Sequence, residues 1–258
     1  MPKRRAPSIL KRPHADIIGR SILYYPVLPS TMDMAKKMAK EGMDEGAVII
    51  AGEQTEGRGR LGRKWVAPPD SSLSLSIILR PGMNQLPQLN MMASLAVVQS
   101  IQNVTGLRPL IKWPNDVLLN GKKVSGILIE NVFEGAELRA AIVGIGININ
   151  LDPSSFPEIA SIATSLSIEA HRDVSPHAVL TSFLDAFEEL YKELREGGNV
   201  YKKWLPFVET VGKTVRVKSG EAIEEGYVES IDANGSLILR KSDGRRLTMI
   251  AGEVTLHI

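Results

Sequence analysis

The chain has 258 residues, 43% of them hydrophobic and 23% charged, with a net charge of +2. That is an ordinary folded-protein balance, with room for one large domain and a small one. It contains no cysteine, which excludes disulfides, thiolate metal sites and an enzyme-bound thioester. Residues 1–20 hold Lys3, Arg4, Arg5, Lys11, Arg12 and Arg20 against Asp16, a net of +5 that leaves −3 for the rest. A basic arm over 1–21 can touch nucleic acid; a solvated, partly disordered tail is the favoured reading. This stretch lacks the apolar core of a signal peptide. The missing cysteines are compatible with a cytoplasmic protein, the expected location.

Ser30 is a candidate N-cap, with Asp33 three residues on and Gly42 closing a helix. Residues 47–52 form a short apolar run read as a buried strand, and 55–70 a loop rich in Gly, Arg and Pro. Leu73, Leu75, Ile77 and Leu79 alternate with Ser72, Ser74, Ser76 and Ile78, which predicts a strand covered mainly on one face. Residues 81–107 carry no charge, but Asn84, Gln85, Gln88, Asn90, Gln99 and Gln102 make them too polar for a membrane span. Leu89, Ala93, Val97, Ile101 and Val104 recur at helical spacing, so an amphipathic core helix over about 87–105 ends at Gly106.

An extended region starts at 110–113, and Asn120-Gly121 predicts a two-residue hairpin. Residues 124–133 and 138–149 read as paired strands, followed by helices at about 175–195 and 199–207. Strands with helices interspersed, rather than regular alternation, indicate an α+β domain over 22–210. From 211 to 258 the texture changes to five short strands, at 214–218, 222–231, 236–240, 245–250 and 254–258, with turns at Asn234-Gly235 and Asp243-Gly244. Such a run fits a small barrel.

Gly57-Arg58-Gly59-Arg60-Leu61-Gly62-Arg63 contains G-x-G-x-x-G after a strand. A dinucleotide site is disfavoured, because Lys64-Trp65-Val66-Ala67-Pro68-Pro69 opens no long helix and no acid follows about twenty residues on. Three mutually repelling guanidinium groups on a glycine-rich backbone predict a loop poorly ordered until an anion folds it. A solvated basic turn or a nucleic-acid contact is the alternative. In Lys112-Trp113-Pro114-Asn115-Asp116, Asp116 can ligate magnesium on ATP or accept a proton from an amine, and Lys112 can meet a phosphate. A self-bonded Pro-Asn-Asp turn is the bland alternative. Lys123 starts a strand near Gly126, which lets a ligand approach the backbone; Lys122 suits the solvent face.

Together these segments, with Lys123-Val124-Ser125-Gly126-Ile127, Ser30-Thr31, Gln54, Gly144-Ile145-Gly146-Ile147-Asn148 and Ala163-Thr164-Ser165-Leu166, resemble the biotin–protein ligase family over about residues 22–258. The resemblance implies an α+β catalytic domain related to class II aminoacyl-tRNA synthetases, then an SH3-like β-barrel at 211–258. It implies a ligase-only chain without an N-terminal DNA-binding domain, since about 21 residues precede the catalytic domain. The activity implied is ATP-dependent formation of biotinyl-5′-AMP and transfer of biotin to a lysine of a biotin carboxyl carrier protein.

By the same resemblance Ser30, Thr31, Gln54, Gly57, Arg58 and Gly126 would hold biotin, Arg58 through its backbone or its side chain. Arg60 and Lys123 would lie near the biotin carboxylate and the α-phosphate. Arg63, Lys64, Trp65, Lys112, Asn115 and Asn148 would contact the nucleotide. Asp116 would sit near magnesium or the incoming lysine. Val124 and Ile127 are candidate apolar walls. Met32 stands where the family usually has Asn. ATP with magnesium and biotin are the expected co-substrates, with no prosthetic group and no membrane partner. Specific DNA binding is not expected, and a homodimer is left open. A lipoate–protein ligase is the enzyme rival, and a nucleic-acid-binding protein using the basic arm and barrel is the rival of another class.

Overall fold

The computed structural model describes residues 8–10, 12 and 14–256. Its elements run β1 (Ser8–Leu10), β2 (Ile22–Leu28), α1 (Thr31–Lys40), β3 (Val48–Gln54), β4 (Ser72–Leu79) and α2 (Leu86–Thr105). Then come β5 (Leu110–Lys112), β6 (Asp116–Leu119), β7 (Lys122–Glu134) and β8 (Glu137–Asn148). Three helices follow, α3 (Leu166–Ala170), α4 (Pro176–Arg195) and α5 (Tyr201–Trp204). The chain closes with β9 (Thr214–Ser219), β10 (Ala222–Ile231), β11 (Leu237–Arg240), β12 (Arg246–Met249) and β13 (Glu253–Leu256).

The first eight strands form one sheet in the order β1-β2-β3-β4-β8-β7-β6-β5. Every pairing is antiparallel except β2 with β3, which α1 joins by a crossover. Alternation along β4 and β8 sends Leu73, Leu75, Ile77, Val143, Ile145 and Ile147 to one face, where they pack with α2 and α4 in the main core. Ile78 and Ile142 point the other way, against Met32, Ala35 and Ala39 of α1. Burial of this kind contributes about 25 cal/mol per Å² of apolar surface.

Several expectations need correction. β4 is covered on both faces, not mainly one: Ser74 and Ser76 are 2% and 0% exposed. The cause is α1, whose Thr31 Oγ1 accepts from Ser76 Oγ at 2.8 Å. Helix α2 is buried without a break from Met91 to Val98 rather than amphipathic, because α4 and α5 cover the side turned from the sheet; Trp204 Nε1 donates to Ser94 Oγ at 2.9 Å. The strand β2 gave no clear sequence signal, since Pro26 and its tyrosines break the alternation. Hairpin Asn120-Gly121 turns as expected, with φ of 47° and 78°.

The five C-terminal strands form an antiparallel sheet in the order β12-β11-β10-β9-β13. Val215, Val217, Val228, Leu237, Leu239 and Val254 belong to the same apolar cluster as the main core. Trp113 Nε1 donates to Gly235 O at 2.8 Å, and the Tyr201 hydroxyl to Ile231 O at 2.6 Å. The small sheet is thus welded onto the larger one. The expected strand end at 257–258 lies outside the described residues.

The expectation of a solvated N-terminal arm fails for its second half. Lys3, Arg4, Arg5 and Lys11 lie outside the described residues, but Ile18 is fully buried. Glu188 of α4 accepts from the amides of Asp16 (2.8 Å), Ile17 (2.7 Å) and Ile18 (3.2 Å) and from Arg12 Nη1 (2.8 Å). Arg12 also pairs with Asp185, and Asp16 with Lys192. Burial raises the Glu188 carboxyl, yet the amides of Ile17 and Ile18, the Arg12 charge and the Asp16 amide outweigh it and hold it below the usual range.

Glu188→Gln should lower unfolding stability by about 1–3 kcal/mol at neutral pH, the cost of unpairing buried donors. Because the folded-state pKa is depressed, this contribution is fully present above the ordinary glutamate range and is lost as pH falls through the lower folded value. Denaturant melts of both proteins at neutral and acid pH check this: the difference should shrink in acid.

Candidate active site

The pocket opens on the same sheet face that α1 packs against, beside the first turn of that helix. Its floor is glycine. Gly144 and Gly146 lie two apart on β8, so they share a face, and Gly126 of β7 pairs directly with Gly146. A Cβ on Gly146 would stand 2.4 Å from the Trp65 ring, and one on Gly144 would stand 2.5 Å from Met32 Sδ. A Cβ on Gly126 would meet Lys123 Nζ at 3.0 Å and Trp65 at 3.2 Å. The missing side chains are what let Trp65, Met32 and Lys123 enclose a cavity above the strands. Leu128 stands on the same face as a wall, while Leu75, Ile127 and Ile145 border the pocket from strands whose side chains at those positions enter the main core. Val124 does not line it; it belongs to the core on the opposite face.

One end of the pocket is polar and uncharged. Ser30 caps α1, its hydroxyl oxygen accepting from Asp33 N at 3.4 Å. Gln54 Oε1 accepts from Thr31 N at 2.8 Å and Thr31 Oγ1 at 3.1 Å, which fixes the amide orientation. That leaves the Gln54 NH₂ group and the Ser30 hydroxyl proton without protein partners among the described residues. Met32, in the position where Asn was expected, is 4% exposed and packs into the α1 cluster while lining the pocket.

The arginine-glycine loop, expected to order around an anion, has a defined backbone path. It folds as a small hairpin: Trp65 N donates to Gly57 O at 2.8 Å, and Gly59 N to Arg63 O at 2.7 Å. At its tip, Leu61 and Gly62 take φ of 56° and 74°. A side chain at Gly57 would stand 2.6 Å from Trp65 O, so this glycine serves the hairpin rather than the cavity. The expected repulsion is relieved because each guanidinium has a protein acceptor. Arg58 binds Asp33 and Glu130, Arg60 donates to Asn115 Oδ1 at 2.9 Å, and Arg63 pairs with Glu253 of β13. Arg58 lines the pocket while its guanidinium is engaged by Asp33 and Glu130. Burial disfavours the charge on Arg60, and the fields of Asp116 and Glu253 offset part of that cost.

The other end is cationic. The cis Trp113–Pro114 bond opens a turn in which Asn115 is strapped to β7: its Nδ2 donates to Ile127 O at 2.9 Å, and its carbonyl accepts from Ile127 N at 3.0 Å. Its Oδ1 is thereby aimed at Arg60. Lys123 lines the pocket and Lys122 is exposed. Lys123 Nζ lies 2.6 Å from Asp116 Oδ1 and 5.6 Å from the centroid of the Trp65 ring. The approach to Asp116 is close but off the hydrogen-bonding direction, since that buried oxygen has no aligned donor; the contact is an ion pair.

Arg63, Lys64, Lys112, Asp116 and Asn148 lie outside the pocket lining, Asp116 reaching it only through Lys123. Lys64 is exposed, and Lys112 sits on β5 opposite Asp116. Asn148 is 3% exposed; its Nδ2 donates to Thr164 O at 3.0 Å, and its Oδ1 accepts from Ser72 Oγ at 3.5 Å. Its amide therefore ties the 163–164 segment to β8. Lys123 holds the same segment, donating from N to Ile162 O at 2.8 Å and accepting from Thr164 N at 2.9 Å.

No cluster of three or more His, Asp or Glu among the described residues could cage a metal. Magnesium carried on ATP needs only one or two protein carboxylates. Asp116, with its unaligned buried oxygen, fits that lesser requirement. Sequence reading missed Met32, Leu75 and Leu128 as lining residues. Glycines two apart in a strand were the available signal for the floor.

Residues 24–148 match the family model described as "Biotin/lipoate A/B protein ligase family", and residues 210–256 that of "Biotin protein ligase C terminal domain". Over 234 residues the chain is 37% identical to the bifunctional ligase/repressor BirA of Bacillus subtilis, covering 89% of this chain and 72% of that protein. It is 35% identical to a biotin–[acetyl-CoA-carboxylase] ligase of Paracoccus denitrificans, covering 84% and 93%. The solved structure of a biotin protein ligase from Aquifex aeolicus in complex with biotin and ATP superposes with a TM-score of 0.80 at 29% identity, covering 92% of this chain and 98% of that one. Sequence and fold agree that the chain belongs to the biotin protein ligase family.

Proposed function

We infer that this protein activates biotin with ATP to biotinyl-5′-AMP and transfers the biotinyl group to a lysine of a biotin carboxyl carrier protein. The observation that carries the reading is the polarity of one pocket: unspent neutral donors at Ser30 and Gln54 at one end, and the cations Arg60 and Lys123 at the other. Biotin has that polarity, with a ureido ring at its head and a carboxylate at its tail. A lipoyl group has a dithiolane at its head, which would leave both donors unpaired, and buried unpaired donors discriminate strongly.

In the reaction, the biotin carboxylate attacks the α-phosphorus of ATP and pyrophosphate leaves. Both reactants are anionic, so Arg60 and Lys123 act by neutralising their approach and stabilising charge that builds on the α-phosphoryl oxygens. Asn115 holds Arg60, and Asp116 holds Lys123. Magnesium carried with ATP would be held by Asp116 and the phosphates and would supply further neutralisation. The neutral amine of the acceptor lysine then attacks the acyl carbon of the mixed anhydride, and AMP leaves. Asp116, paired with Lys123, takes the proton. No enzyme nucleophile is needed, in keeping with the absence of cysteine.

Ser30, Thr31, Gln54, Arg58 and Gly126 shape the biotin end, and Gly57 contributes by allowing the hairpin to close. Trp65, Asn115, Arg63, Lys64 and Lys112 belong to the nucleotide end, with Asn148 acting through the 163–164 segment. The relatives named biotin–[acetyl-CoA-carboxylase] ligase support a carboxylase carrier as the partner. No helix among the described residues is long and apolar enough to cross a membrane.

The protein should transfer biotin to a carrier domain only when ATP is present; no transfer would sink the reading. Lys123→Ala should slow adenylate formation about 10²–10³-fold, the cost of a lost preorganised donor. Lys122→Ala should leave it nearly unchanged, and equal losses would remove the special place given to Lys123. Arg60→Gly should still make some adenylate but retain it roughly tenfold to a hundredfold less well, the worth of a charge-assisted contact. Biotinylation of bystander albumin per adenylate formed should therefore rise, and a variant leaking no more than wild type would contradict the retention role.

A further inference from the structure

Arg58 is the most heavily bonded cation at the pocket, and its charge is taken up by protein carboxylates. Its Nη1 donates to Asp33 Oδ2 at 2.6 Å and its Nη2 to Asp33 Oδ1 at 2.6 Å, a two-pronged contact. Nη2 also reaches Glu130 Oε2 at 3.3 Å, and Glu130 is shared with Lys36. Asp33 sits in the first turn of α1, Glu130 lies midway along β7, and Arg58 comes from the loop. Three separate elements meet at one guanidinium. The hydrogen bonds from Arg58 hold the Asp33 carboxyl below its usual range despite some burial. Burial raises that of Glu130, and Lys36 and Arg58 outweigh it.

Most exposed ion pairs contribute little. This one differs in its forked geometry, its second carboxylate and its place in the chain. Arg58 stands between Gly57 and Gly59, so its own side chain is the anchor available to this limb of the hairpin. Arg58 and Gly59 of the same limb line the pocket. Where the guanidinium is tied decides where that part of the lining stands.

We propose that Asp33 and Glu130 are positioning residues for biotin: they clamp Arg58 against α1 and β7 and so hold the arginine-glycine loop in the form that closes over the ligand. The proposal rests on the reading of the pocket as a biotin site. It assigns no ligand contact to either carboxylate. It also separates two jobs within one loop: Arg58 fixes the wall, and Arg60, carried on the tip, meets the anion.

The test is a double-mutant cycle read on biotin dissociation and on adenylate formation at saturating biotin. Asp33→Asn and Arg58→Gln should each speed dissociation about tenfold, the size of a lost charge-assisted pair, and Asp33→Asn should keep the saturated rate within about twofold. The double variant should be no worse than either single one, because both remove the same clamp. Glu130→Gln should act in the same direction and more weakly, and Asp33→Glu should retain tight binding. Asp33→Asn also weakens the first turn of α1; that effect would persist in the Arg58→Gln background, so additive losses overturn the clamp. Loss on Arg58→Gln with none on Asp33→Asn would also overturn it, by making Arg58 a direct ligand. A wild-type protein that binds no biotin would instead overturn the reading of the pocket, and the clamp with it.

Discussion

Cations gathered around one small opening repel each other, and this pocket places Arg58, Arg60, Arg63 and Lys123 around a single loop and turn. Their arrangement depends on partners drawn from distant parts of the chain: Asp33 and Glu130 for Arg58, Asn115 for Arg60, Glu253 for Arg63 and Asp116 for Lys123. The partners differ in strength, which matters for function. Arg58 is held by two carboxylates, while Arg60 is held by one neutral amide oxygen. The guanidinium with the weakest protein partner is the one at the tip, where an incoming anion can outbid asparagine. A uniform set of carboxylate partners would have spent every cation on the protein.

The second constraint is the glycine floor. Strands normally present a side chain on each face at every second residue, which fills the space above them. Gly126, Gly144 and Gly146 suspend that rule on one patch, and Trp65, Met32 and Lys123 close in above it. On the opposite face the same strands carry Ile127, Ile145 and Ile147 into the main core. One sheet is therefore a packed wall on one side and a binding floor on the other.

Local signals were legible in the sequence. Ser30 capping α1, Gly106 ending α2 and the Asn120-Gly121 turn each depend on a few adjacent residues, and each is found where the pattern places it. Legibility ended where distant elements meet. The serines of β4 read as a half-exposed face because nothing in their own alternation tells of α1 above them. Arg58 reads as a free cation because its acceptors lie 25 and 72 residues away in sequence. The N-terminal basic stretch reads as a tail because Glu188, which collects three of its amides, lies about 170 residues on. In the site, Lys123 and Lys122 were separable by strand alternation, whereas the commitment of Asn148 to Thr164 was not.

The chemistry argued from the pocket is activation of one particular acid, so the most direct measurement is exchange of radiolabelled pyrophosphate into ATP with biotin or lipoate as the only added acid. Exchange that requires biotin and is not supported by lipoate would follow from the unspent donors of Ser30 and Gln54 and the cations at the far end. Exchange supported equally by lipoate, or independent of either acid, would contradict it.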